Sequence, residues 1–283
     1  MGIRSPGWIL GTANFSGVYG VLESTVFKSG QGPEALIRYA EQAGFVAIDT
    51  ASTYRGVEKI IGTVGTSLNV HTKLDPSVTP RASIARSMGA LSSDFLELVY
   101  FHVPDVLANN DDLMIKSVSS LKGRLFEKLG VSIYDEMNLV LALGHPDIDV
   151  IQLPVNPMSG ALLEQIELRS DHGKRIIGRS ILGQGLLLSD PDSLPRRVSH
   201  LAELVRAFQY VCRDMGLTPL AALAAWLQSK EELADVIVAG ADVAQVNELL
   251  RAFGATSASD QLLCALDEFG TAENLALFDP RRW

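Results

Sequence analysis

Eight short apolar runs, each suited to a buried strand, alternate with segments of helical periodicity in this chain of 283 residues. Continuous apolar strands that alternate with amphipathic helices are typical of a parallel sheet with helices outside it. One (β/α)₈ barrel takes about 250 residues, so eight units predict an α/β fold of the TIM-barrel type rather than an open sheet. We expect a single domain over residues 1–283. The runs are WILGTANF (8–15), GFVAIDT (44–50), LNVHTKL (68–74), LELVYFHV (96–103), KLGVSIY (128–134), IDVIQLPVN (148–156), KRIIGRSIL (174–182) and ADVIVAGA (234–241).

Helix-period segments fill most of the intervals between these runs. PEALIRYAEQA (33–43) is one of them, with Gly44 as its expected stop. PRASIARSMGAL (80–91) and DDLMIKSVSSLKGRL (111–125) have the same period. About fifty residues separate the seventh and eighth runs, where GQGLLLSDPDSLPRR (183–197) predicts a long loop before a helix. Long loops on a rigid scaffold are often functional.

Charge and composition narrow the classes of partner. The net charge of −9 argues against nucleic acid, because phosphate binding needs a basic surface that this sequence does not show. The sequence has no run of about 18 apolar residues that would predict a membrane span, and no long apolar segment near its start that would predict a secretion signal. Cys212 and Cys264 lie far apart in sequence and match no metal-binding spacing. We therefore expect both to be free thiols. We expect a cytoplasmic protein with a small-molecule substrate and no metal.

Polar or small residues end each apolar run. In a barrel of this kind the active site forms where strands end and the following loops begin, so these residues are the candidates for a site. Taken singly, Lys73 reads as a solvated strand end and His102 as a core or rim histidine. All the polar ends nevertheless fall on the same end of neighbouring strands. The candidates are Thr12, Asn14, Asp49, Tyr54, Lys73, His102, Ser132, Gln152, Asn156, Arg179, Ser180 and Gly240.

Four of these residues make a chemically coherent set. A free tyrosine has a pKa of about 10 and is a weak acid near neutrality. A nearby Lys73 ammonium is expected to lower the pKa of Tyr54, and Asp49 to keep Lys73 charged and oriented, which makes Tyr54 a general acid. His102 is suited to donate a hydrogen bond to a substrate carbonyl. None of these side chains delivers hydride, so the set predicts carbonyl reduction with a nicotinamide cofactor.

At these residues the chain resembles the aldo-keto reductase superfamily. The resemblance lies in IDTASTYRGVEKIIG (48–62), TKL (72–74) and YFHVPD (100–105), with further support from GVSIYD (130–135) and IIGRSILGQGLL (176–187). It runs over nearly the whole chain and implies a (β/α)₈ barrel that reduces aldehydes and ketones with a reduced nicotinamide cofactor, usually NADPH. The family's catalytic tetrad falls on Asp49, Tyr54, Lys73 and His102.

The resemblance also implies where the cofactor binds. Ser132 and Gln152 match the carboxamide ligands of the nicotinamide, and Arg179 stands where many members stack a Tyr on that ring. A planar guanidinium also stacks on π-systems. Ile133 replaces a common Asn. The cofactor contacts implied by the resemblance are Thr12, Ser132, Gln152, Arg179, Ser180, Gly240, Gln245 and Glu248.

The segment GADVAQVNELL (240–250) departs from the family pattern at the adenosine end of the cofactor. Members that prefer NADPH often have Lys or Ser, then Arg, to bind the 2′-phosphate. Here Asp242 lies in the loop and Gln245 takes the place of the Arg. A carboxylate near a phosphate is unfavourable, whereas one near free ribose hydroxyls is useful. We therefore expect a weakened NADPH preference, with NADH or dual use as alternatives.

Two other functions remain open at this point. One is a cofactor-binding regulatory or assembly subunit that keeps the reductase fold with little turnover. The other is a lyase in which the Lys73 amine forms a Schiff base, although this leaves Tyr54 and Asp49 without a role. Arg55 follows Tyr54 where many family members have Gly, and it faces either an acidic substrate or solvent; we favour solvent.

Overall fold

The eight apolar runs form a closed parallel barrel in the computed structural model, which describes residues 6–17, 20–21, 32–109, 111–255 and 258–283. Each strand pairs with the next in sequence, and the first pairs with the eighth, so the predicted (β/α)₈ barrel is confirmed. The strands are β1 Gly7–Gly11, β2 Ala47–Asp49, β3 Asn69–Lys73, β4 Leu96–Phe101, β5 Phe126–Ser132, β6 Val150–Pro154, β7 Arg175–Arg179 and β8 Asp235–Val238.

Helices follow the strands and cover the outside of the barrel. Two helices lie between β4 and β5 and two between β7 and β8, and two more follow the helix after β8. In the described residues the helices are α1 Pro33–Gln42, α2 Val57–Val64, α3 Pro80–Leu91, α4 Asp105–Ala108, α5 Asp112–Ser119, α6 Glu136–Gly144, α7 Gly160–Glu167, α8 Ala202–Asp214, α9 Pro219–Gln228, α10 Val243–Ala255, α11 Asp260–Asp267 and α12 Ala272–Leu277. None of them is long and apolar enough to cross a membrane.

Local signals explain where these elements begin and end. The predicted helix at residues 80–91 is confirmed as α3, whose start has Thr79 as a cap and Pro80 in the first turn. The predicted helix at 111–125 is too long. It ends at Ser119, because Gly123 adopts φ +73° in a turn in which its N–H donates to the Phe126 carbonyl. β5 consequently begins at Phe126, two residues before the predicted strand.

The register of the strands brings their carboxyl ends to one rim. Asp49 ends β2 opposite Gly11 of β1, and Lys73 ends β3 opposite Tyr100 of β4. Ser132 of β5 is paired with Gln152 of β6 in the same way. A site formed at this rim therefore collects side chains that are far apart in sequence.

Two layers of apolar side chains build the core. A large cluster packs between the strands and the helices, and a smaller buried cluster on alternate strand positions fills the inside of the barrel. Tyr100 belongs to the inner cluster and is fully buried. Gly130 makes room for it, because a Cβ at Gly130 would lie 2.5 Å from Tyr100 Cδ1. The inner cluster contains Ile9, Ala47, Leu98, Tyr100, Val150, Ile177 and Ile237.

A glycine in α2 sets how closely α2 and α3 approach, and its replacement should destabilise the barrel. A Cβ at Gly62 would overlap the Ala90 carbonyl oxygen and lie 2.8 Å from the Leu91 carbonyl carbon. Backbone atoms yield little, so we expect Gly62→Ala to cost about 1–3 kcal/mol of unfolding free energy. Gly89→Ala is the matched control, because a Cβ at this position in α3 meets nothing within 4 Å. It should gain about 0.5–1 kcal/mol from helix propensity. Urea unfolding measures both changes, and equal effects would contradict the packing argument.

Candidate active site

A buried ion pair lies at the centre of the rim. Lys73 Nζ donates to Asp49 Oδ1 at 2.5 Å and to the Thr50 carbonyl at 2.8 Å. Gln152 Nε2 donates to the second carboxylate oxygen, Asp49 Oδ2, at 2.7 Å. Both charged side chains are almost completely buried, and burial lowers the pKa of Lys73 while Asp49 opposes that shift. A buried charge pair needs further hydrogen bonds to offset the loss of water, and here Thr50 and Gln152 supply them.

Tyr54, in the loop after β2, lies beside this ion pair. Lys73 Nζ lies 5.6 Å from the centroid of its ring, and no described residue forms a hydrogen bond with its hydroxyl. Burial, and then the Asp49 charge, raise the pKa of Tyr54 well above its ordinary value, and the Arg179 charge opposes them only in part. The sequence-based expectation that Lys73 would lower this pKa is therefore wrong for this arrangement. The phenol keeps its proton across the neutral range.

His102 faces Tyr54 edge to face, with 6.2 Å between the ring centroids. Burial, and then the Lys73 charge, lower the pKa of His102 to about 4, so its imidazole is neutral at physiological pH. Thr53 Oγ1 lies 3.3 Å from Nδ1 and is able to donate to it. In that tautomer Nε2 carries the proton and is the donor available to a substrate oxygen.

These four side chains line one cleft of about 430 Å³ at the carboxyl ends of the strands. Seven of the eight predicted cofactor contacts line it as well. The exception is Glu248, which is exposed on α10 and does not line the cleft, so its contact with the cofactor stays a prediction. The predicted residues that line the cleft are Thr12, Asn14, Asp49, Tyr54, Lys73, His102, Ser132, Gln152, Arg179, Ser180, Gly240 and Gln245.

Two residues of the cleft wall have buried polar atoms without a hydrogen-bond partner of good geometry in the described structure. These atoms are Asn14 Oδ1 and Gln152 Oε1, although the Gln152 side chain also interacts with the buried Tyr100 hydroxyl. The Ser132 hydroxyl, at the end of the strand beside Gln152, makes no hydrogen bond with a described residue either. Buried polar groups are normally paired, so such atoms indicate a ligand that supplies the missing partners.

Hydrogen bonds hold the floor and wall of the cleft in shape. Thr12 Oγ1 donates to the Asp49 carbonyl at 2.9 Å, and Asn14 Nδ2 donates to the Gly240 carbonyl at 2.5 Å. Ser180 adopts φ +54°, which is costly for a residue with a side chain, and its carbonyl accepts from Asn156 Nδ2 at 3.1 Å. Backbone strain of this kind clusters at functional sites.

The wall also contains residues that were not among the predicted site residues, and three of them come from loops or the C-terminal segment. Tyr134 follows Ser132 in the loop after β5, Gln184 lies in the long loop after β7, and Pro280 belongs to the C-terminal segment. The ring of Tyr134 lies 4.0 Å from the Arg179 guanidinium carbon and 4.3 Å from that of Arg281. Tyr134 could have been predicted, because it comes two residues after the predicted contact Ser132. Nothing in the sequence near Pro280 indicates that it reaches the cleft.

The amino end of α10 closes the cleft at its far side. Asp242 Oδ1 accepts from the Gln245 N–H at 3.0 Å, and Gln245 Oε1 accepts from the Ala241 N–H at 2.8 Å. The Asp242 carboxylate therefore occupies a helix N-terminus that would otherwise attract an anion.

Comparison with known proteins agrees with this fold. The sequence model of the Aldo/keto reductase family matches residues 9–270, which span the barrel and most of the helices after it. Among solved structures, the glycerol dehydrogenase AKR11B4 from Gluconobacter oxydans has a similar fold, with a TM-score of 0.66, 20% sequence identity and 94% of each chain covered. A search of curated protein sequences finds no match. The chain belongs to the aldo/keto reductase family of carbonyl oxidoreductases.

Proposed function

We propose that this protein reduces an aldehyde or a ketone to an alcohol, with hydride from NAD(P)H and a proton from Tyr54. The observation that carries the proposal is the convergence of Asp49, Tyr54, Lys73 and His102 in one cleft. A phenol, an ammonium and a neutral imidazole beside a carboxylate can bind a carbonyl oxygen and give it a proton.

The roles follow from the contacts. Asp49 holds Lys73 in place and keeps it charged. Tyr54 carries its proton at neutral pH and gives it to the substrate oxygen as negative charge develops there. The Lys73 charge then stabilises the phenolate that remains, since Nζ lies close to the phenol ring. His102 donates from Nε2 to the same substrate oxygen and orients the carbonyl toward Tyr54.

The cleft fits a nicotinamide cofactor on its own polar atoms. Gln152 Oε1 and the Ser132 hydroxyl are suited to a carboxamide, which offers both N–H donors and a carbonyl acceptor. Thr12, Arg179, Ser180, Gly240 and Gln245 would hold the rest of the cofactor along the cleft. A bound reduced nicotinamide supplies the hydride that no side chain of this site can provide.

The far side of the cleft favours a cofactor without a 2′-phosphate. Asp242 does not line the cleft itself but brings a negative charge to the start of α10, next to Ala241 in the wall, and no Lys or Arg of the described chain lines this part of the cleft. A dianionic phosphate placed there would meet the carboxylate instead of free N–H groups. We infer NADH or dual use, although NADPH is usual in the family.

Asp242→Asn separates the charge of Asp242 from its structural role. Asparagine is as good a helix cap as aspartate, so α10 should keep its start. We expect the Kd for NADPH to fall about tenfold, which is about 1.4 kcal/mol, with little change in the Kd for NADH. Fluorescence titration of both cofactors measures this. If the wild type already binds NADPH about a hundredfold tighter than NADH, some 2.7 kcal/mol, the inference about Asp242 is wrong.

The test of the proposed function is oxidation of NADH and NADPH by the purified protein with a panel of carbonyls. Aromatic aldehydes, short hydroxyaldehydes and cyclic ketones sample the size and polarity of the cleft. Turnover that disappears when the tetrad is altered supports the reductase. Tight cofactor binding with no tetrad-dependent turnover on any carbonyl would favour the regulatory or assembly subunit instead.

The lyase alternative is disfavoured by the contacts of Lys73. A Schiff base requires a free amine that reaches the substrate, whereas Lys73 Nζ is buried and donates to Asp49 and Thr50. Borohydride reduction in the presence of a carbonyl substrate distinguishes the two, because only the lyase leaves the substrate attached to Lys73.

A further inference from the structure

Arg179 is held firmly in the wall of the cleft. Its Nη2 donates to the Ile133 carbonyl at 2.8 Å, and its guanidinium carbon lies 4.0 Å from the centroid of the Tyr134 ring. Arg281 contacts the same ring and is itself bound to Asp279, so the C-terminal segment supports the ring from the other end of the chain. A guanidinium fixed by a hydrogen bond and a ring contact keeps its charge in one place.

This charge is not neutralised nearby. Arg179 and Lys73 are the two cationic side chains among the described residues that line the cleft. Lys73 is paired with Asp49 at 2.5 Å, whereas no carboxylate of the described structure forms an ion pair with Arg179. The Arg179 charge opposes the rise in the pKa of Tyr54 and contributes to lowering the pKa of Lys73 and of His102, so it acts across the catalytic end of the cleft.

The reacting ring of a nicotinamide has little choice of position in this cleft. Ser132, which ends β5, and Gln152, within β6, would hold its carboxamide, and the proton donor Tyr54 lies in the loop after β2. A ring held between these residues would lie beside Arg179, which ends β7 and lines the same cleft. The reduced ring is neutral, whereas the oxidised ring carries a positive charge. A fixed cation beside the ring repels the oxidised ring and not the reduced one. A partly buried site screens this repulsion poorly.

We propose that the Arg179 guanidinium makes this cleft bind the reduced cofactor more tightly than the oxidised one, so that the free protein takes up the reduced form and releases the oxidised form readily. The inference rests on the proposed use of a nicotinamide. It assigns Arg179 the role of discriminating between redox states, beyond any packing role against the ring.

The test compares binding of NAD⁺ and NADH by calorimetry in the wild type and in variants of Arg179. Arg179→Gln removes the charge, Arg179→Met is a second neutral variant, and Arg179→Lys keeps a positive charge. Arg55→Gln is the matched control, because Arg55 is exposed on the rim and does not line the cleft. Thermal unfolding of each variant establishes that it is folded.

We expect the ratio of the Kd for NAD⁺ to the Kd for NADH to fall at least tenfold in both neutral variants, which is about 1.4 kcal/mol. Arg179→Lys should keep most of the ratio, and Arg55→Gln should leave it unchanged. If the neutral variants weaken both forms equally, Arg179 only packs against the ring and the inference is wrong. If the wild type binds neither NADH nor NAD⁺, and NADPH and NADP⁺ also fail to bind, the proposed function itself fails.

Discussion

Replacing Tyr54 by Phe should lower kcat/KM for carbonyl reduction by about 10²–10⁴-fold, the usual contribution of a positioned general acid. The variant loses one hydroxyl, and that hydroxyl makes no hydrogen bond with a described residue, so the barrel has no reason to unfold. The Lys73–Asp49 pair is untouched, because Lys73 Nζ donates to Asp49 and Thr50 and not to the phenol. Cofactor binding should remain within about threefold of the wild type, roughly 0.7 kcal/mol.

The pH profile gives this prediction a second readout. Burial raises the pKa of Tyr54, so its proton-bearing form persists as pH rises through the neutral and mildly alkaline range. The wild-type kcat/KM should therefore show no loss assignable to Tyr54 below about pH 10, the ordinary pKa of a phenol. At higher pH the wild-type kcat/KM should fall as Tyr54 loses its proton. Any residual kcat/KM of the Phe variant should not show this fall. Full activity in Tyr54→Phe, measured with the best carbonyl of the panel, would remove Tyr54 as the proton donor.

The fold and the tetrad were open to prediction because their signals are local. Each strand is a short apolar run, and each tetrad residue lies at or just after the end of one run. The barrel topology then places all those ends on one rim, whichever loops connect them. Asp49 and Lys73 consequently form their ion pair at 2.5 Å, although 24 residues separate them in sequence.

The pKa of Tyr54 was not open to prediction in this way. The direction of the pKa shift depends on how completely the fold removes water from the phenol. The residues next to Tyr54 in sequence do not reveal how deeply it is buried. In the folded chain desolvation, with the Asp49 charge, outweighs the Arg179 charge. The sequence analysis named Lys73 as the cation that acts on the Tyr54 pKa, whereas Arg179 is the cation that opposes the rise, and the sequence had no measure of burial.

Glu248 shows a second limit of the sequence analysis, which concerns the side of a helix on which a residue lies. Gln245 and Leu249 line the cleft and are separated by one turn of α10, so they share a face. Glu248 comes one residue before Leu249 and is therefore turned about 100° away, since a helix has 3.6 residues per turn. An alignment uncertain by one residue is enough to change the side of the helix on which a predicted contact falls. Pro280 and Arg281 were missed for another reason, because their contacts join parts of the chain more than a hundred residues apart.

Breaking the buried ion pair should have the largest effect on stability. Among the described residues, Lys73→Met leaves the buried Asp49 carboxylate with Gln152 as its one remaining side-chain partner. Removing one member of a buried pair typically costs about 3–5 kcal/mol of unfolding free energy. The variant should also lose carbonyl reduction, because the phenolate of Tyr54 would form without a nearby cation. Urea unfolding at pH 7 measures the stability independently of activity.

The double variant Lys73→Met with Asp49→Asn is the matched control. It removes both charges, and the amide oxygen of the introduced asparagine can still accept from Gln152 Nε2. The double variant should recover at least half of the stability lost in Lys73→Met while remaining inactive, because buried charge pairs can be replaced by neutral groups at small cost. A double variant no more stable than the single one would mean that the loss reflects packing of the Lys73 side chain and not the unpaired charge of Asp49.

Asp49→Asn alone should behave differently with pH. Burial already lowers the pKa of Lys73, and the loss of Asp49 removes the group that opposes this shift. The folded variant then holds its lysine proton more weakly than the unfolded chain, whose lysine has a pKa of about 10.4. Stability rises with pH wherever the unfolded state binds more protons, so as pH rises toward about 10.4 the variant should gain stability more steeply than the wild type. Parallel pH dependences in urea unfolding would show that Asp49 does not hold the charge of Lys73 in the folded protein.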